Sequence, residues 1–200
     1  MQIDIYYSYA CRDTYLVYAW LKLVQKSGHA LDINWHPYAI QMDDPNAYWN
    51  RSWATANSEL RGFIAAEAAR RQGSEAFLRF HDALEGAVHE QLLELGEEST
   101  LITVTQQAGL DMDRFLADWH DPQLAQAVQR SHEQGSEKFN ISGTPTLVFS
   151  NGRSFHLELS KVPPVADALE AFQVFETMAL RFPYIKQLKR TNYDVVFSNI

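Results

Sequence analysis

The chain has 200 residues, of which 46% are hydrophobic and 21% are charged, with only 9 glycines and 7 prolines. These proportions exclude a disordered or low-complexity chain and are typical of one compact domain or a domain with an insertion. Because 25 acidic residues outnumber 17 basic ones and give a net charge of −8, nucleic acid is not an expected partner. No apolar run approaches the roughly 18 residues that span a bilayer, so no membrane partner is expected either.

The beginning of the chain lacks a basic segment followed by an apolar stretch, which predicts that no secretory leader is present. Cys11 is the single cysteine, so an intramolecular disulfide cannot form. A free thiol is typical of a reducing compartment, and we therefore predict a cytoplasmic location.

The first forty residues predict a strand, a helix and a second strand. Residues 2–7 alternate and carry β-branched and aromatic side chains, as strands do. Apolar residues dominate 15–26, which predicts a mostly buried helix that ends at Ser27-Gly28. Residues 31–36 predict the second strand, which is stopped by Pro37. Joined by short connections, these elements indicate a right-handed βαβ unit.

Residues 41–140 predict a block of helices that follows an aromatic-rich loop at 43–56. Residues that cap or begin helices recur along the block and mark where each helix starts. These residues are Asn57 or Ser58, Ser74, Ser99, Asp111 and the pair Asp121-Pro122.

After residue 140 the pattern becomes that of strands again. Residues 146–149 predict a short buried strand, Asn151-Gly152 a tight turn, and 154–159 the returning strand. Pro163-Pro164 then predicts the start of a last apolar-striped helix.

Neither the first nor the last part has enough strands to bury a sheet face alone, so both are expected to form one sheet. The sequence therefore predicts a core made of residues 1–40 and 141–182, a helical insertion at 41–140, and a C-terminal tail at 183–200.

Cys11 lies between the first strand and the first helix, where the free backbone N–H groups of the helix start favour an anion. A thiol at this place is expected to be partly ionised near neutral pH. Arg12 adds a nearby positive charge, and the hydroxyl of Thr14 is placed to hydrogen-bond the sulfur. The alternative is that Cys11 is an inert, buried small hydrophobe, as free cysteines often are.

Pro145 comes directly before a predicted strand, where it cannot donate a ladder hydrogen bond. A cis Thr144-Pro145 bond would resolve this, since cis prolines serve tight turns. An ordinary trans proline in a loop is the alternative, and trans bonds are far more common.

Taken together, these segments resemble the thioredoxin superfamily. The resemblance rests on Cys11 to Thr14 at a helix start and on Gly143-Thr144-Pro145-Thr146 before a hairpin. The long helical insertion, Trp35-His36-Pro37-Tyr38 and the segment 139–146 are similar to its DsbA-like branch, which includes 2-hydroxychromene-2-carboxylate isomerases and kappa-class glutathione transferases. The fold implied is α/β and thioredoxin-like (βαβ…ββα) with a large all-helical insertion between its halves.

The resemblance implies that Cys11 is the family's nucleophile, or stands where some members have serine. It also implies that Thr144 and Pro145 lie beside the sulfur and bind a substrate or glutathione through backbone groups. Thr14 stands where disulfide oxidoreductases keep a second cysteine, so Cys11 cannot complete an internal dithiol cycle. We therefore expect glutathione or a similar thiol as co-substrate, with no permanently bound cofactor.

Tyr9 and Trp49 belong to an aromatic group that is a candidate wall for a small aromatic substrate. The alternative is that these rings pack the insertion against the sheet, as most large aromatic residues are buried. His36, at the end of the second strand, either borders the site or is a solvated strand-end side chain. Histidine and cysteine spacings typical of metal sites are missing from the sequence, so no metal is predicted.

Three functions follow from these observations. The first is thiol–disulfide exchange or thiol transfer by Cys11, with a small-molecule thiol or a protein thiol or disulfide as partner. The second is a glutathione-dependent isomerase or transferase that acts on an aromatic small molecule. The third is a redox-inactive binding protein with a thioredoxin fold. A homodimer is compatible with all three.

Overall fold

The structure, a computed structural model, describes residues 1–185. Most of the predicted tail, residues 186–200, lies outside the described residues. Within residues 1–185 there are four strands, seven α-helices and a short 3-10 helix at Tyr48–Asn50. In chain order the strands and α-helices are β1 Gln2–Tyr7, α1 Arg12–Lys26, β2 Asp32–Pro37, α2 Ser58–Arg70, α3 Ser74–His89, α4 Glu98–Gln107, α5 Met112–Asp118, α6 Pro122–Phe139, β3 Thr146–Phe149, β4 Ser154–His156 and α7 Ala168–Arg181.

The four strands form one sheet in the order β2-β1-β3-β4. β1 is parallel to β2 and antiparallel to β3, and β3 and β4 form an antiparallel hairpin. Strands from before residue 40 and after residue 140 thus share one sheet, and α2 to α6 lie between β2 and β3 in the chain. The predicted α/β thioredoxin-like fold with a helical insertion is confirmed.

Alternation along β1 divides the core into two clusters. Ile3, Ile5 and Tyr7 are fully buried in the larger cluster, which also holds the rings of α1 and α7. Trp20 of α1 illustrates the α1–α7 contact, because its indole N–H donates to the carbonyl of Ala168 at 2.9 Å. Burial of such side chains contributes roughly 1.5–3 kcal/mol each, which makes this face the main source of stability.

Tyr6 lies between Ile5 and Tyr7 in the strand, so its side chain is on the opposite face of the sheet. It is buried there in the second cluster with Tyr38, Ile141 and Val148. Helix α6 approaches Tyr6 closely at Gly135, where an added Cβ would lie 2.7 Å from the ring atom Cε1. A side chain at position 135 would therefore force α6 away from the sheet.

Several predicted boundaries are wrong by a few residues. Helix α1 begins at Arg12 rather than Tyr15, because its first turn is polar and apolar spacing does not reveal it. The last helix begins at Ala168 rather than Pro163, and a turn precedes it in which the Asp167 amide donates to the Pro164 carbonyl at 2.9 Å. β4 ends at His156, three residues earlier than predicted.

Smaller boundary differences occur elsewhere. β2 includes Pro37, which the sequence analysis placed just after the strand. Helix α4 begins at Glu98 instead of Ser99. The predicted starts of α2, α3, α5 and α6 are confirmed by their caps, since the side chains of Asn57, Asp111 and Asp121 each accept a backbone N–H and Gly73 precedes α3.

Candidate active site

The candidate site centres on Cys11, which follows β1 and contacts the segment before β3. It is the N-cap of α1, with extended backbone angles of −102° and 113°, and its side chain makes no capping hydrogen bond. The half-buried thiol instead donates to the carbonyl oxygen of Thr144, at an Sγ–O distance of 3.2 Å. The Thr144-Pro145 peptide bond is cis, as predicted. The sulfur therefore lies at a helix start and against the segment that enters β3.

Thr144 is itself buried, and its hydroxyl oxygen Oγ1 has no hydrogen-bond partner within residues 1–185. Its carbonyl accepts from Cys11, so the hydroxyl is the polar group of this residue that remains available. A buried polar atom without a hydrogen-bond partner lowers stability. Such an atom beside a reactive group is therefore a candidate for contact with a substrate.

Ser8 organises the loop that carries Cys11. Its carbonyl accepts from the Cys11 amide at 3.1 Å, and its hydroxyl oxygen accepts from the Ala10 amide at 3.1 Å. The Ser8 amide donates in turn to Oγ1 of Thr14 at 3.4 Å. The Thr14 hydroxyl therefore contacts the Ser8 backbone, whereas the sequence predicted a contact with the sulfur.

Glu59 of α2 anchors this loop to the insertion. The carboxylate is fully buried and accepts from the Ser8 hydroxyl at 2.5 Å. It also accepts from the amides of Ile40 and Gln41 at 3.0 and 2.9 Å and from the Tyr48 hydroxyl at 3.2 Å. Four donors on one carboxylate compensate its burial and fix the loops after β1 and β2 relative to each other.

Glu85 of α3 is a second fully buried carboxyl group, and neither of its oxygens has a hydrogen-bond partner within residues 1–185. Burial raises the pKa of Glu85 well above its usual value, and the negative charges of Cys11 and Asp82 raise it further. His89, one turn later, lies with Nε2 3.5 Å from the Glu85 carboxyl oxygen Oε2. Its N–H donates to the carbonyl of Tyr9 at 3.0 Å. This ties α3 to a residue two positions before Cys11.

Charged and polar side chains also surround the Cys11 loop on its outer side. Arg12 is exposed, whereas Asp13 is partly buried. Partial burial raises the pKa of Asp13, Glu158 raises it further, and His156 and Arg12 lower it. His156 lies against Gly143, since a Cβ built at that glycine would be 3.3 Å from the imidazole Cε1. The rim of the site is therefore mixed in charge.

The structure places the predicted aromatic residues in packing positions. The Tyr9 ring is fully buried, with its hydroxyl 2.9 Å from Nδ1 of His81. Trp49 is buried in an edge contact with Tyr48, at 4.8 Å between ring centroids, and lies 5.5 Å from the His132 ring of α6. These contacts correspond to the alternative in which the rings pack the insertion. A role for either side chain in substrate binding stays a prediction.

His36 contacts side chains of β1. Its ring stacks on Tyr6 at 5.0 Å, and its Nε2 is 3.4 Å from a carboxyl oxygen of Asp4. It lines a cleft of about 470 Å³ beside β2, whose walls also include Arg70 and Phe77 but not Cys11, Thr144 or Pro145.

The sequence analysis identified Cys11, Thr144 and Pro145, and the structure brings them together. It missed Ser8, Glu59, Glu85 and His89. A first-turn acid such as Glu59 and a mid-helix acid such as Glu85 resemble ordinary surface carboxylates in sequence, because their burial depends on packing between distant helices.

Within residues 1–185 no three histidine, cysteine, aspartate or glutamate side chains converge as metal ligands. None of the helices in that part of the chain is both long and apolar enough to cross a bilayer.

Solved structures with this fold include several disulfide oxidoreductases. The cytosolic disulfide reductase DsbM from Pseudomonas aeruginosa superposes with a TM-score of 0.62 at 15% identity, covering 90% of this chain and 100% of that one. The thiol-disulfide exchange protein alpha-DsbA2 from Wolbachia pipientis gives a TM-score of 0.60 at 16% identity, covering 88% and 80%. At these identities the likeness establishes the fold.

Curated relatives are two proteins named ClpXP adapter protein SpxH. The protein from Shouchella clausii is 35% identical over 91 residues, which is 46% of this chain and 30% of that relative. The one from Halalkalibacterium halodurans is 27% identical over 136 residues, which is 68% of this chain and 39% of that relative. The matches thus span about a third of the length of these curated relatives.

The family comparison covers most of the chain. Residues 15–166 match the thioredoxin family. This range extends from the first turn of α1, through the insertion and both strands of the hairpin, to the loop before α7. The chain therefore belongs to the thioredoxin family and has the fold of its DsbA-like oxidoreductases.

Proposed function

We propose that the protein catalyses thiol–disulfide exchange through Cys11, with glutathione or a similar small thiol as co-substrate. The observation that carries the proposal is the position of Sγ, half-buried at the start of α1 and 3.2 Å from the Thr144 carbonyl. The N-terminal end of a helix favours an anion, and a thiolate is the nucleophile in disulfide exchange.

The exchange needs two steps. In the first, the Cys11 thiolate attacks one sulfur of a substrate disulfide, a new S–S bond forms on Cys11, and the other sulfur leaves as a thiolate. In the second, an external thiolate attacks the mixed disulfide and Cys11 leaves as thiolate again. The substrate disulfide is reduced and the external thiol is oxidised. Because Cys11 is the only cysteine of the chain, the second sulfur must come from outside.

The segment at Thr144 and Pro145 supports substrate binding beside the sulfur. An extended chain that runs along this segment would bring its disulfide to Cys11 and could use the unpartnered Thr144 hydroxyl. The proteins with this fold include the cytosolic disulfide reductase DsbM from Pseudomonas aeruginosa, of which one structure was solved with GSH. These points support glutathione as the co-substrate and a cytoplasmic location.

Turnover of a small disulfide in the presence of reduced glutathione tests the proposal. We expect the wild-type chain to accelerate the reduction of hydroxyethyl disulfide. The rate with Cys11→Ser should equal the uncatalysed rate. A thermal melt of Cys11→Ser gives the matched control for folding. Equal rates for the wild type and a folded Cys11→Ser variant would refute the proposal.

A second candidate function is protein binding without redox turnover. It is favoured by the curated relatives, which are named as ClpXP adapters, and by the absence of a second cysteine. Fluorescence anisotropy with purified ClpX would test it. Binding that is equally tight in Cys11→Ser, together with no turnover of hydroxyethyl disulfide, would favour the adapter function.

A further inference from the structure

Strand β2 is an edge strand, because the sheet has the order β2-β1-β3-β4. It is parallel to β1, and in such a pair the backbone groups of alternate residues point to the neighbouring strand. The amide of Asp32 donates to the carbonyl of Met1 at 2.8 Å. The amide of Tyr38, an even number of residues later, donates to the carbonyl of Tyr7 at 2.9 Å. The even-numbered residues of β2 therefore bond to β1, and the backbone groups of the odd-numbered ones point away from the sheet.

One of these outward backbone groups already has a partner. Nη2 of Arg70, on α2, donates to the Trp35 carbonyl at 3.0 Å. Pro37 has no backbone N–H to offer. The amides of Ile33 and Trp35 and the carbonyl of Ile33 have no hydrogen-bond partner within residues 1–185. The edge thus presents two donors and one acceptor, and the two donors are about 6.6 Å apart along the strand.

A cleft runs along this edge, and one of its walls is the end of α2 with the start of α3. The cleft has a volume of about 470 Å³ and is lined by residues 32–37 of β2. Phe77 and the exposed Leu78 give this wall an apolar surface. The wall lies on the sheet face that carries the Trp35 ring, which is 4.5 Å from the ring of His81 on α3. A bound side chain that points to this face therefore meets an apolar wall.

The other wall is α6, on the opposite face of the sheet. Tyr6 lies on this face, and a Cβ built at Gly135 of α6 would be 2.7 Å from its ring. Ala127 and Ser131 of α6 line the cleft. Ser131 keeps a buried hydroxyl oxygen that has no hydrogen-bond partner within residues 1–185. A small polar side chain therefore fits this wall better than a large apolar one.

We propose that the cleft binds an extended peptide segment of a partner protein, which joins the sheet as an additional strand beside β2. Unpaired edge groups are a template for such strand addition, and only an extended backbone repeats its own groups at the spacing of the Ile33 and Trp35 amides. Because helices flank the edge on both faces of the sheet, a single segment fits where a second folded sheet would not. This site goes beyond the proposed function, since Cys11 does not line the cleft.

The two walls also predict which segment is preferred. Side chains of an extended segment alternate between the two faces of the sheet. Apolar side chains should therefore face Phe77 and Leu78, and small polar ones should face Ala127 and Ser131. The acetylated and amidated peptide Ser-Leu-Ser-Leu-Ser has this alternation and serves as the probe.

Amide hydrogen exchange of the wild-type chain, followed by NMR, tests the pairing. At a free peptide concentration of about ten times the Kd, the amides of Ile33 and Trp35 should exchange about tenfold more slowly, because they are open to water only in the free protein. The amides of Asn34 and His36 point to β1 and provide the internal control. Exchange of Ile33 and Trp35 that is unchanged at the solubility limit of the peptide would overturn the inference.

A matched pair of variants on α6 locates the peptide. Ala127→Leu fills the cleft and should weaken binding at least about tenfold, because overpacking removes the space for the segment. Gln126→Leu places the same side chain at the exposed neighbouring position, and its Kd should stay within about twofold of the wild type. Equal affinities of the wild type and a folded Ala127→Leu would overturn the inference, and the exchange rates of the wild type decide it if that variant does not fold.

Cys11→Ser separates this site from the proposed function. We expect it to bind the peptide with the affinity of the wild type, even though it should not turn over hydroxyethyl disulfide. Loss of peptide binding in a folded Cys11→Ser would assign the peptide to the Cys11 site and overturn the inference. Failure of the wild type to reduce hydroxyethyl disulfide, with peptide binding intact, would refute only the proposed function.

Discussion

Two carboxyl groups are buried in the helical insertion, one at the start of α2 and one near the end of α3, and they have opposite surroundings. Glu59 receives hydrogen bonds from two backbone amides and two hydroxyls, whereas Glu85 receives none from any residue within 1–185. Both are fully buried. The difference separates a carboxylate that holds the loop in place from a carboxyl group whose burial no hydrogen-bond donor within that range compensates.

The comparison shows why burial alone does not identify a reactive acid. A charge that is compensated by four donors is a fixed part of the structure, and removing it leaves those donors without partners. A carboxyl without donors responds instead to every nearby change in charge. Changes at the two positions should therefore affect stability to different extents.

The largest expected effect concerns His81, one turn before Glu85 on α3. Burial among aromatic rings lowers the pKa of His81 to about 3. Below pH 6.5 the His81 side chain is protonated in the unfolded chain but not in the folded chain. The free energy of unfolding should therefore fall as the pH drops towards 3. At 1.36 kcal/mol per pKa unit the loss should reach roughly 5 kcal/mol below pH 3, and roughly 3 kcal/mol of it should be present at pH 4. Urea denaturation at pH 7 and pH 4 measures it.

His81→Phe should remove this acid-dependent loss and leave the opposite dependence of Glu85. Because the folded-state pKa of Glu85 is raised, its contribution to stability is present at low pH and is lost as the pH rises above its ordinary value of 4.5. An unchanged loss at pH 4 in His81→Phe would contradict this assignment.

Glu59→Gln should have the next largest effect. The amide keeps one acceptor oxygen but presents an NH₂ group to donors, so at least two of the four hydrogen bonds are lost. We expect the free energy of unfolding at pH 7 to fall by about 3 kcal/mol. Glu85→Gln, which loses no hydrogen bond, should cost less than about 1 kcal/mol under the same conditions. Equal losses in the two variants would remove the distinction between the two carboxyl groups.

Ser8→Ala should show a smaller effect of the same kind. It removes the hydroxyl that donates to Glu59 and accepts from the Ala10 amide, and we expect a loss of about 1–2 kcal/mol in urea denaturation. Ser131 provides the control, because its hydroxyl oxygen is buried without a partner within the described part of the chain. Ser131→Ala should be close to neutral, and a comparable loss there would mean that Ser8 contributes only ordinary packing.

The order of elements could be predicted from local signals. The caps Asn57, Asp111 and Asp121 fixed three helix starts within one residue, because a side chain that accepts a backbone N–H leaves a clear pattern in sequence. Pro163 predicted a wrong start for α7, because proline is also common in turns that precede a helix.

The meeting of Cys11 with Thr144 could be predicted only through the resemblance to a known family. The burial of Glu59 and Glu85 could not be predicted, because both lie in helices that pack against the loop between β1 and α1. Those contacts involve residues fifty or more positions away in the chain, and no local pattern encodes them.

The most direct test of the account is the reaction of Cys11 with oxidised glutathione, followed by mass spectrometry of the intact protein. The account predicts a gain of one glutathionyl group per chain, located on Cys11 by peptide mapping, and its removal by reduced glutathione. A folded protein whose Cys11 stays unmodified, or whose adduct reduced glutathione cannot remove, would contradict it.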